Sequence, residues 1–433
     1  MAYSNSGNFP MERASKVGHI KIIQEPHIQR WINAFEKIDS NGETPLGEIS
    51  GKLDLSQVGM LENIVAIDGS HVAVPNAIYN HKRIAFITAS AIVLSRSEIA
   101  AMKANPILDP RDMAKQILKS TKSIAAVLPL AGVSLPGETV VDSIRRAIDE
   151  TLLVEGLYDT LQFLVSREWL TEYTMEEHMG CVKCGEEFFL TRSTRRFRCP
   201  KCYYYNTLSD YVGFVQSPPE DWAKEEAAIS LRNVMETLLL MNFLKLYANR
   251  PIILKRTLFV KDGPLLLRAN LSRLIEPIRA FLKYLKDVGR EIHIVGIEKT
   301  GDLVDHIPQI RRTLKEPGDY FLPTVKYLQE HIHGIPFIED KYRNRVQYGS
   351  KVIVRLSSDH IVVFNVPTGE FLTAPMESDL YGFQQSMALL SEMLSYSYEN
   401  ALIPLVLANS AASISMKPSS DILETFAKRL LGE

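Results

Sequence analysis

All four cysteines of the chain fall inside one 22-residue stretch, "CVKCGEEFFLTRSTRRFRCPKC". Cys181 and Cys184 are two residues apart, and so are Cys199 and Cys202, with fourteen residues between the pairs. Two such knuckles bring four thiolates to the corners of a tetrahedron, the arrangement Zn²⁺ takes in structural sites. Four protein ligands leave no open coordination position, so a zinc held here is structural rather than catalytic. The glycine after Cys184 and the proline after Cys199 suit tight knuckle turns. Disulfide pairing is the other use of this pattern, and a reducing compartment disfavours it. The segment between the knuckles reads as a short hairpin with Arg192, Arg195, Arg196 and Arg198 near its tip, and "YYY" at 203–205 follows. Arginines beside aromatics suit phosphates and stacked bases. They equally suit a small ribbon that packs its aromatics to fold, or one that docks a protein.

The remainder is ordinary globular sequence: 433 residues, 46% hydrophobic and 23% charged, enough for a large core. No apolar run approaches the roughly 20 residues of a membrane helix, and the first residues lack a secretory apolar core. A soluble, cytoplasmic protein with no membrane partner is expected. A net charge of −2 means that nucleic acid would have to be met by local basic patches. Candidates are "RSTRRFR" at 192–198, "RLIEPIRAFLKYLK" at 273–286 and "KYRNR" at 341–345, though such runs are also common on solvated faces.

Periodicity predicts a polar helical start over 20–60, strands over 62–74 and 82–95, and a mixed helical region over 96–176 with a helix start at "GETVVDSI". After the ribbon, residues 220–300 read helix, strand, helix, strand. A hairpin follows at 350–367, then a helix, a strand or strand-to-helix turn at "ALIPLVLANSAASIS", and a closing helix. Helices packed on a mixed sheet, an α/β protein, is the fold class expected. The domains expected are an N-terminal helical segment (1–60), the first part of a core (61–177), the zinc ribbon as an insertion (178–206) and the rest of the core (207–433).

Two of the strands end alike, "IVAIDGS" and "LFVKDGP", an apolar run closed by Asp-Gly. Asp-Gly after a strand ordinarily makes a turn. If the strands are neighbours, however, Asp68 and Asp262 come together, and two close carboxylates need a proton or a cation between them. Mg²⁺ and Mn²⁺ are the hard, oxygen-seeking choices. Glu236, in "RNVMETLLLMNFL", sits in an apolar helix and needs a partner, either Arg232 one turn earlier or the same metal. His71 follows Asp68 closely enough to reach the site, or simply hydrogen-bonds locally. Among motifs, HExxH, GxSxG and GxxxxGK[ST] are absent, so a zinc protease, a serine hydrolase and a P-loop ATPase find no support.

These motifs in this order, "IVAIDGSH", "LRNVMETLLLM" before "LFVKDGPLL", "IVGIEKT" and "IPLVLANSAASI", resemble the NurA nuclease family over roughly 60–310 and 350–420. The resemblance implies an RNase H-like core and manganese-dependent (or magnesium-dependent) cleavage of DNA. It implies a homodimer docked on a hexameric HerA-type ATPase, in DNA end processing or phage defence. Carried over by residue, it implies metal-binding roles for Asp68, Glu236 and Asp262. Lys299 of "GIEKT" matches a family lysine that would meet a phosphate. Asn409 stands where the family has a histidine. Asn can ligate a hard metal through its carbonyl but cannot titrate. Two readings follow: a metal-dependent DNA nuclease with Asp68, Glu236, Asp262, Lys299 and Asn409 as its site, or a weak or inactive DNA-binding adaptor of the translocase. The ribbon lies outside the family's minimal core, which points to extra DNA contact or partner docking; in a third reading, the chain serves protein docking alone.

Overall fold

The computed structural model describes residues 25–34, 49–74, 82–104, 120–172, 177–190, 195–214, 221–394, 402–414 and 419–431. The chain divides into two compact units, Met1–Gly47 with Ala77–Tyr79 and Glu48–Asn76 with Asn80–Glu433. In the first, the described element is helix α1 (Pro26–Ala34). The helical reading of 20–60 therefore holds for nine residues. Within that span, residues 20–24 and 35–48 lie outside the described ones, and Gly51–Lys52 is a short strand, β1.

The second unit is built on a mixed sheet that has nine strands among the described residues. They are β1, β2 (Asn63–Val74), β3 (Arg83–Ser95), β4 (Thr121–Ala131), β9 (Thr257–Asp262), β10 (His293–Glu298), β11 (Asp319–Phe321), β12 (Ser350–Arg355) and β13 (Ile361–Val366); the ribbon's β5 (His178–Gly180), β6 (Glu187–Phe189), β7 (Arg196–Arg198) and β8 (Tyr205–Thr207) lie outside this sheet. The order across the sheet is β1-β11-β12-β13-β10-β9-β2-β3-β4. β2, β9 and β10 run parallel at the centre, and the other pairings are antiparallel. Parallel strands are covered on both faces, and Thr257–Lys261 and His293–Glu298 are accordingly buried throughout, the polar Lys261, His293 and Glu298 included.

Alternation along the strands sorts side chains between two cores. Val65, Ile67, Ile87 and Phe259 face a layer containing α3 (Val140–Leu152), α4 (Leu157–Val165), α5 (Asp221–Ala248) and α6 (Ile275–Asp287). Ile64, Ala66, Leu258, Val260 and Ile297 face α2 (Arg96–Ala104), α7 (Phe383–Ser391) and α8 (Ile403–Ala412). Helix α5 lies between the sheet and the outer helices, so Val234, Met235, Leu238, Leu239, Leu240 and Met241 are buried all the way round it. Thr139 caps α3, its hydroxyl accepting from the Asp142 amide at 3.1 Å, as the polar start at "GETVVDSI" predicts. Gly289, at φ +71°, ends the chain's turn after α6. Helix α9 (Ser419–Leu431) closes the chain, as read from its sequence.

Three expectations need correction. The region 96–176 is not wholly helical, because β4 runs through it; Ile124, Ala126, Leu128 and Leu130 alternate inward, and Pro129 is tolerated because β4 is an edge strand. "IPLVLANSAA" is a helix, α8, with proline in its first turn, and the strand alternative falls. β2 spans Asn63–Val74, as the strand reading of 62–74 has it, but it does not end at Asp68: it pairs with β3 from Asn63↔Ser95 to Val74↔Ile84, so Asp68-Gly69 is mid-strand rather than a turn. Gly69 is required for space instead. A Cβ there would lie 2.5 Å from Glu236 Oε1 and 3.0 Å from the Thr88 carbonyl oxygen. Gly263, at φ +81°, is the one of the two Asp-Gly glycines that makes a turn. Gly69→Ala is expected to cost about 1–3 kcal/mol in urea unfolding through overpacking, with the secondary structure by circular dichroism unchanged.

Candidate functional site

The ribbon consists of two hairpins, not one. β5 (His178–Gly180) pairs with β6 (Glu187–Phe189), and β7 (Arg196–Arg198) pairs with β8 (Tyr205–Thr207). Each CxxC therefore occupies the turn of its own hairpin, where the Gly185 amide donates to the Cys181 carbonyl at 2.8 Å and the Tyr203 amide to the Cys199 carbonyl at 3.1 Å. The four Sγ atoms lie within 4.8 Å of one another. Cys181–Cys202 and Cys184–Cys199 are each 3.6 Å apart, too long for a disulfide and close to the ~3.8 Å edge of a tetrahedron with Zn–S bonds of ~2.3 Å. Burial opposes ionisation of Cys181, but the amides of Lys183 and Cys184 outweigh it and bring the thiol to about 6. At Cys202 the Tyr204 amide favours the thiolate, yet burial and the neighbouring thiols prevail and push it up to about 12. Crowded thiols ionise unequally without a cation, and a divalent metal removes that conflict. The four cysteines thus form a site that fits a structural zinc.

The ribbon is seated on the body of the unit. Met179, Leu190 and Phe197 belong to the core on the α5 face. Tyr204 donates to Asp142, and Arg145 bridges to Asp210 at 2.6 Å. Of the arginines read as a basic tip, Arg192 lies outside the described residues, Arg195 is paired with Asp149 at 2.9 Å, and Arg196 and Arg198 are exposed. Tyr203 and Tyr205 are also exposed, with Arg198 stacked over Tyr203 at 4.8 Å. Elsewhere the basic runs serve structure: Arg273 donates to the Tyr211 carbonyl, Arg279 to Asn344, and Arg343 pairs with Asp340.

Asp68, Glu236, Asp262, Lys299 and Asn409 all line one cleft of about 550 Å³, together with His71 and Arg232. Strand pairing explains why. β2 and β9 are parallel neighbours with Ile67 opposite Lys261, so Asp68 and Asp262 occupy the next rung on one face. Lys299 follows β10, whose Ile297 pairs with Asp262, and its ammonium lies 2.9 Å from Asp262 Oδ2. Helix α8 packs over β2 and β3 and carries Asn409 to the same cleft. The Ala412 carbonyl at its end accepts from Thr88, and the Ser70 hydroxyl accepts from the Ile414 amide at 3.3 Å. Glu236 comes from the opposite face, on α5. Its Oε2 is 2.7 Å from Lys261 and its Oε1 is 3.4 Å from Arg232. The neighbouring Arg232 is thus one partner, as its spacing allows. Lys261 is the cleft residue that sequence reading passed over. Its signal was a lysine inside the apolar run "TLFVKD", one position out of phase with Asp262 and hence on the other face. A larger, more apolar cleft of about 790 Å³ adjoins, sharing Leu266 and Glu298, but Asp68, Glu236 and Asp262 line the smaller one.

The charges are unevenly satisfied. Burial favours the neutral form of Lys261, but Glu236 beside it holds the ammonium above its ordinary range. Asp68 is 5% exposed; its Oδ1 accepts from the Gly69 amide at 2.7 Å, and its Oδ2 is buried with no hydrogen-bond partner among the described residues. Burial first, then repulsion from Asp262 and Glu236, push Asp68 up to about 7. A buried carboxylate oxygen with nothing to bind, beside a second carboxylate, fits a cation. The three acids do not, however, close into a compact set: among the described residues the cysteines form the group whose donor atoms are mutually within 4.8 Å.

Two predictions follow from this geometry. Purified protein is expected to carry one zinc per chain by elemental analysis; Cys181→Ser or Cys199→Ser loses it and lowers the thermal midpoint. Asp68 gives a stability prediction with a defined sign. Its folded value, about 7, lies above the ordinary carboxylate range, so ionising it works against folding. That cost is absent below about pH 4, grows as pH rises, and is complete above about pH 7, at most on the order of 4 kcal/mol. Asp68→Asn, without added divalent cation, is therefore expected to stabilise by about 1–3 kcal/mol at pH 8 and by nothing near pH 4, measured by urea unfolding.

No protein-family model matches this chain, and no curated protein matches it. A solved structure titled "Crystal structure of NurA" aligns over 96% of this chain and 96% of its own, at 12% identity and a TM-score of 0.28. A superposition that loose carries no argument about fold or activity.

Proposed function

We propose that the chain is a metal-dependent deoxyribonuclease of the NurA kind, hydrolysing phosphodiesters in the cleft between β2, β9 and α8. The observation that carries this reading is the Asp68–Asp262 pair, in which a buried Asp68 oxygen has no hydrogen-bond partner among the described residues and the neighbouring acids Asp262 and Glu236 oppose its charge. Residues that would hold Mn²⁺ or Mg²⁺ are Asp68 and Asp262, with Glu236 within electrostatic reach. Bound there, the cation supplies Lewis-acid charge for a phosphate and its leaving oxygen. Lys299 is 41% exposed at its side chain and pairs with Asp262, so its ammonium can turn from there to a phosphate oxygen. Asn409, exposed at the cleft wall, offers a carbonyl and an amide. It takes no proton, so the proton released from the attacking water passes to solvent or another group. His71 lies beside Arg232, its Nδ1 3.4 Å from the guanidinium.

The sheet supports an RNase H-like description of the core. After the meander β2-β3-β4 come α3, α4, the ribbon and helix α5, and then β9 and β10, joined through α6, are added in parallel on the other side of β2. Within this reading the ribbon at 178–206 is the addition to the core, its exposed Tyr203, Tyr205, Arg196 and Arg198 available to DNA or to a partner. A homodimer working with a HerA-type hexameric ATPase, in end processing or phage defence, belongs to the same proposal. No helix among the described residues is long and apolar enough to cross a membrane.

The second reading, a weak or inactive DNA-binding adaptor of such a motor, is favoured by the Asn at 409. A nuclease assay with Mn²⁺, with and without the ATPase, separates the two. Asp68→Ala and Asp262→Ala are expected to lower cleavage at least about 100-fold while the fold survives. Cleavage by both variants at the wild-type rate would sink the assignment.

A further inference from the structure

The cleft brings four acids together, and they differ in how they are neutralised. Glu236 has Lys261 at 2.7 Å and Arg232 at 3.4 Å. Asp262 has Lys299 at 2.9 Å, and Glu298 has Lys351 at 2.8 Å. Asp68 has no cation within ion-pair distance among the described residues and keeps a buried oxygen unpartnered. One carboxylate is therefore short of positive charge, not three.

The partners also differ in whether they can leave. Lys299 is 41% exposed and reaches solvent simply by rotating. Lys261 is 5% exposed at its side chain; its ammonium is pinned between Glu236 Oε2 and the Asp262 carbonyl, to which it donates at 2.9 Å. Removing it would leave the buried Glu236 with only the longer Arg232 contact at 3.4 Å among the described residues, which is unfavourable. The two acids also address different faces. Asp262 shares its rung with Ile297, which belongs to the core on the α8 face. Lys261 pairs with Ile67, which belongs to the core on the α5 face, and Glu236 meets it there.

We infer that the cleft takes a single divalent cation, on Asp68 and Asp262, and that the Lys261 ammonium fills the second cationic position, holding Glu236 away from the metal. Lys261 is thus a positioning residue: it touches no substrate and fixes how many cations the site admits. A two-cation site clamps both the attacking and the leaving oxygen. Here one divalent cation and a fixed ammonium share the acids, and Asp262 links them, its carboxylate on one face and its carbonyl on Lys261. This rests on the proposed cation-dependent nuclease reading, of which it specifies the metal count.

The test is Mn²⁺ binding to the full zinc-loaded chain without DNA, counted by the loss of free Mn²⁺ signal in electron paramagnetic resonance. Wild type is expected to bind one Mn²⁺, and Asp262→Asn to weaken it at least about 10-fold. Lys261→Met, shown folded by circular dichroism, frees Glu236 and is expected to bind two. Should that variant not fold, a Mn²⁺-soaked crystal of the wild type decides: an ion on Asp68 and Asp262 with no bond to Glu236 supports the inference. Two ions in the wild type, an ion bonded to Glu236, or a folded Lys261→Met that still binds one overturns it. One Mn²⁺ bound with no DNA cleavage leaves the inference standing and removes the nuclease reading. Two bound with cleavage does the reverse.

Discussion

The parallel pairing of β2 with β9 is the constraint on which the rest of the structure depends. Its register, Asn63↔Thr257 through Ile67↔Lys261, fixes which residues of two distant segments share a face. A slip of one residue would turn Asp262 under the sheet and bring Lys261 up beside Asp68. Because both strands are buried on both faces, such a slip would also exchange the apolar sets of two cores. The hydrophobic effect acting on Val65, Ile67, Phe259 and their neighbours therefore holds two carboxylates together that would repel each other in solution.

Around that pairing, the two layers contribute different things. The α5 layer supplies rigidity and neutralisation. Helix α5 approaches so closely that Gly69 cannot carry a Cβ, and it delivers Glu236 to Lys261 in a dry setting. The α8 layer supplies the open side, with Asn409 exposed at the cleft wall and Lys299 across from it. The ribbon adds a second kind of order, local and sulfur-based, and is braced by Arg145, Asp210, Asp142 and Tyr204 rather than by its own small core. Its outer aromatics remain in solvent.

The two Asp-Gly pairs show how far identical dipeptides can differ. At 262–263 the glycine adopts φ +81° and the chain turns. At 68–69 the strand continues, and glycine answers a steric demand from a helix more than 160 positions later in the sequence. Turn statistics describe local preference and carry no information about that helix.

Local chemistry and periodicity are what the sequence determined alone. The cysteine spacing specifies its ribbon, since four soft ligands at that spacing have few other uses. The apolar runs specify β2, β3, β9, β10, β12 and β13, and the capping pattern at Thr139 specifies where α3 begins. The three acids were legible as a group through their repetition and their apolar settings. Only the tertiary structure decided the remainder. β4 was hidden because alternation broken by Pro129 reads weakly until an edge position is known. "IPLVLANSAA" was ambiguous because a short apolar run suits a buried helix and a strand equally. The separate hairpins of the ribbon, and Lys261's hold on Glu236, depend on which segments lie side by side. Pairing of that kind is set by the burial of whole faces, and no local window of sequence contains it.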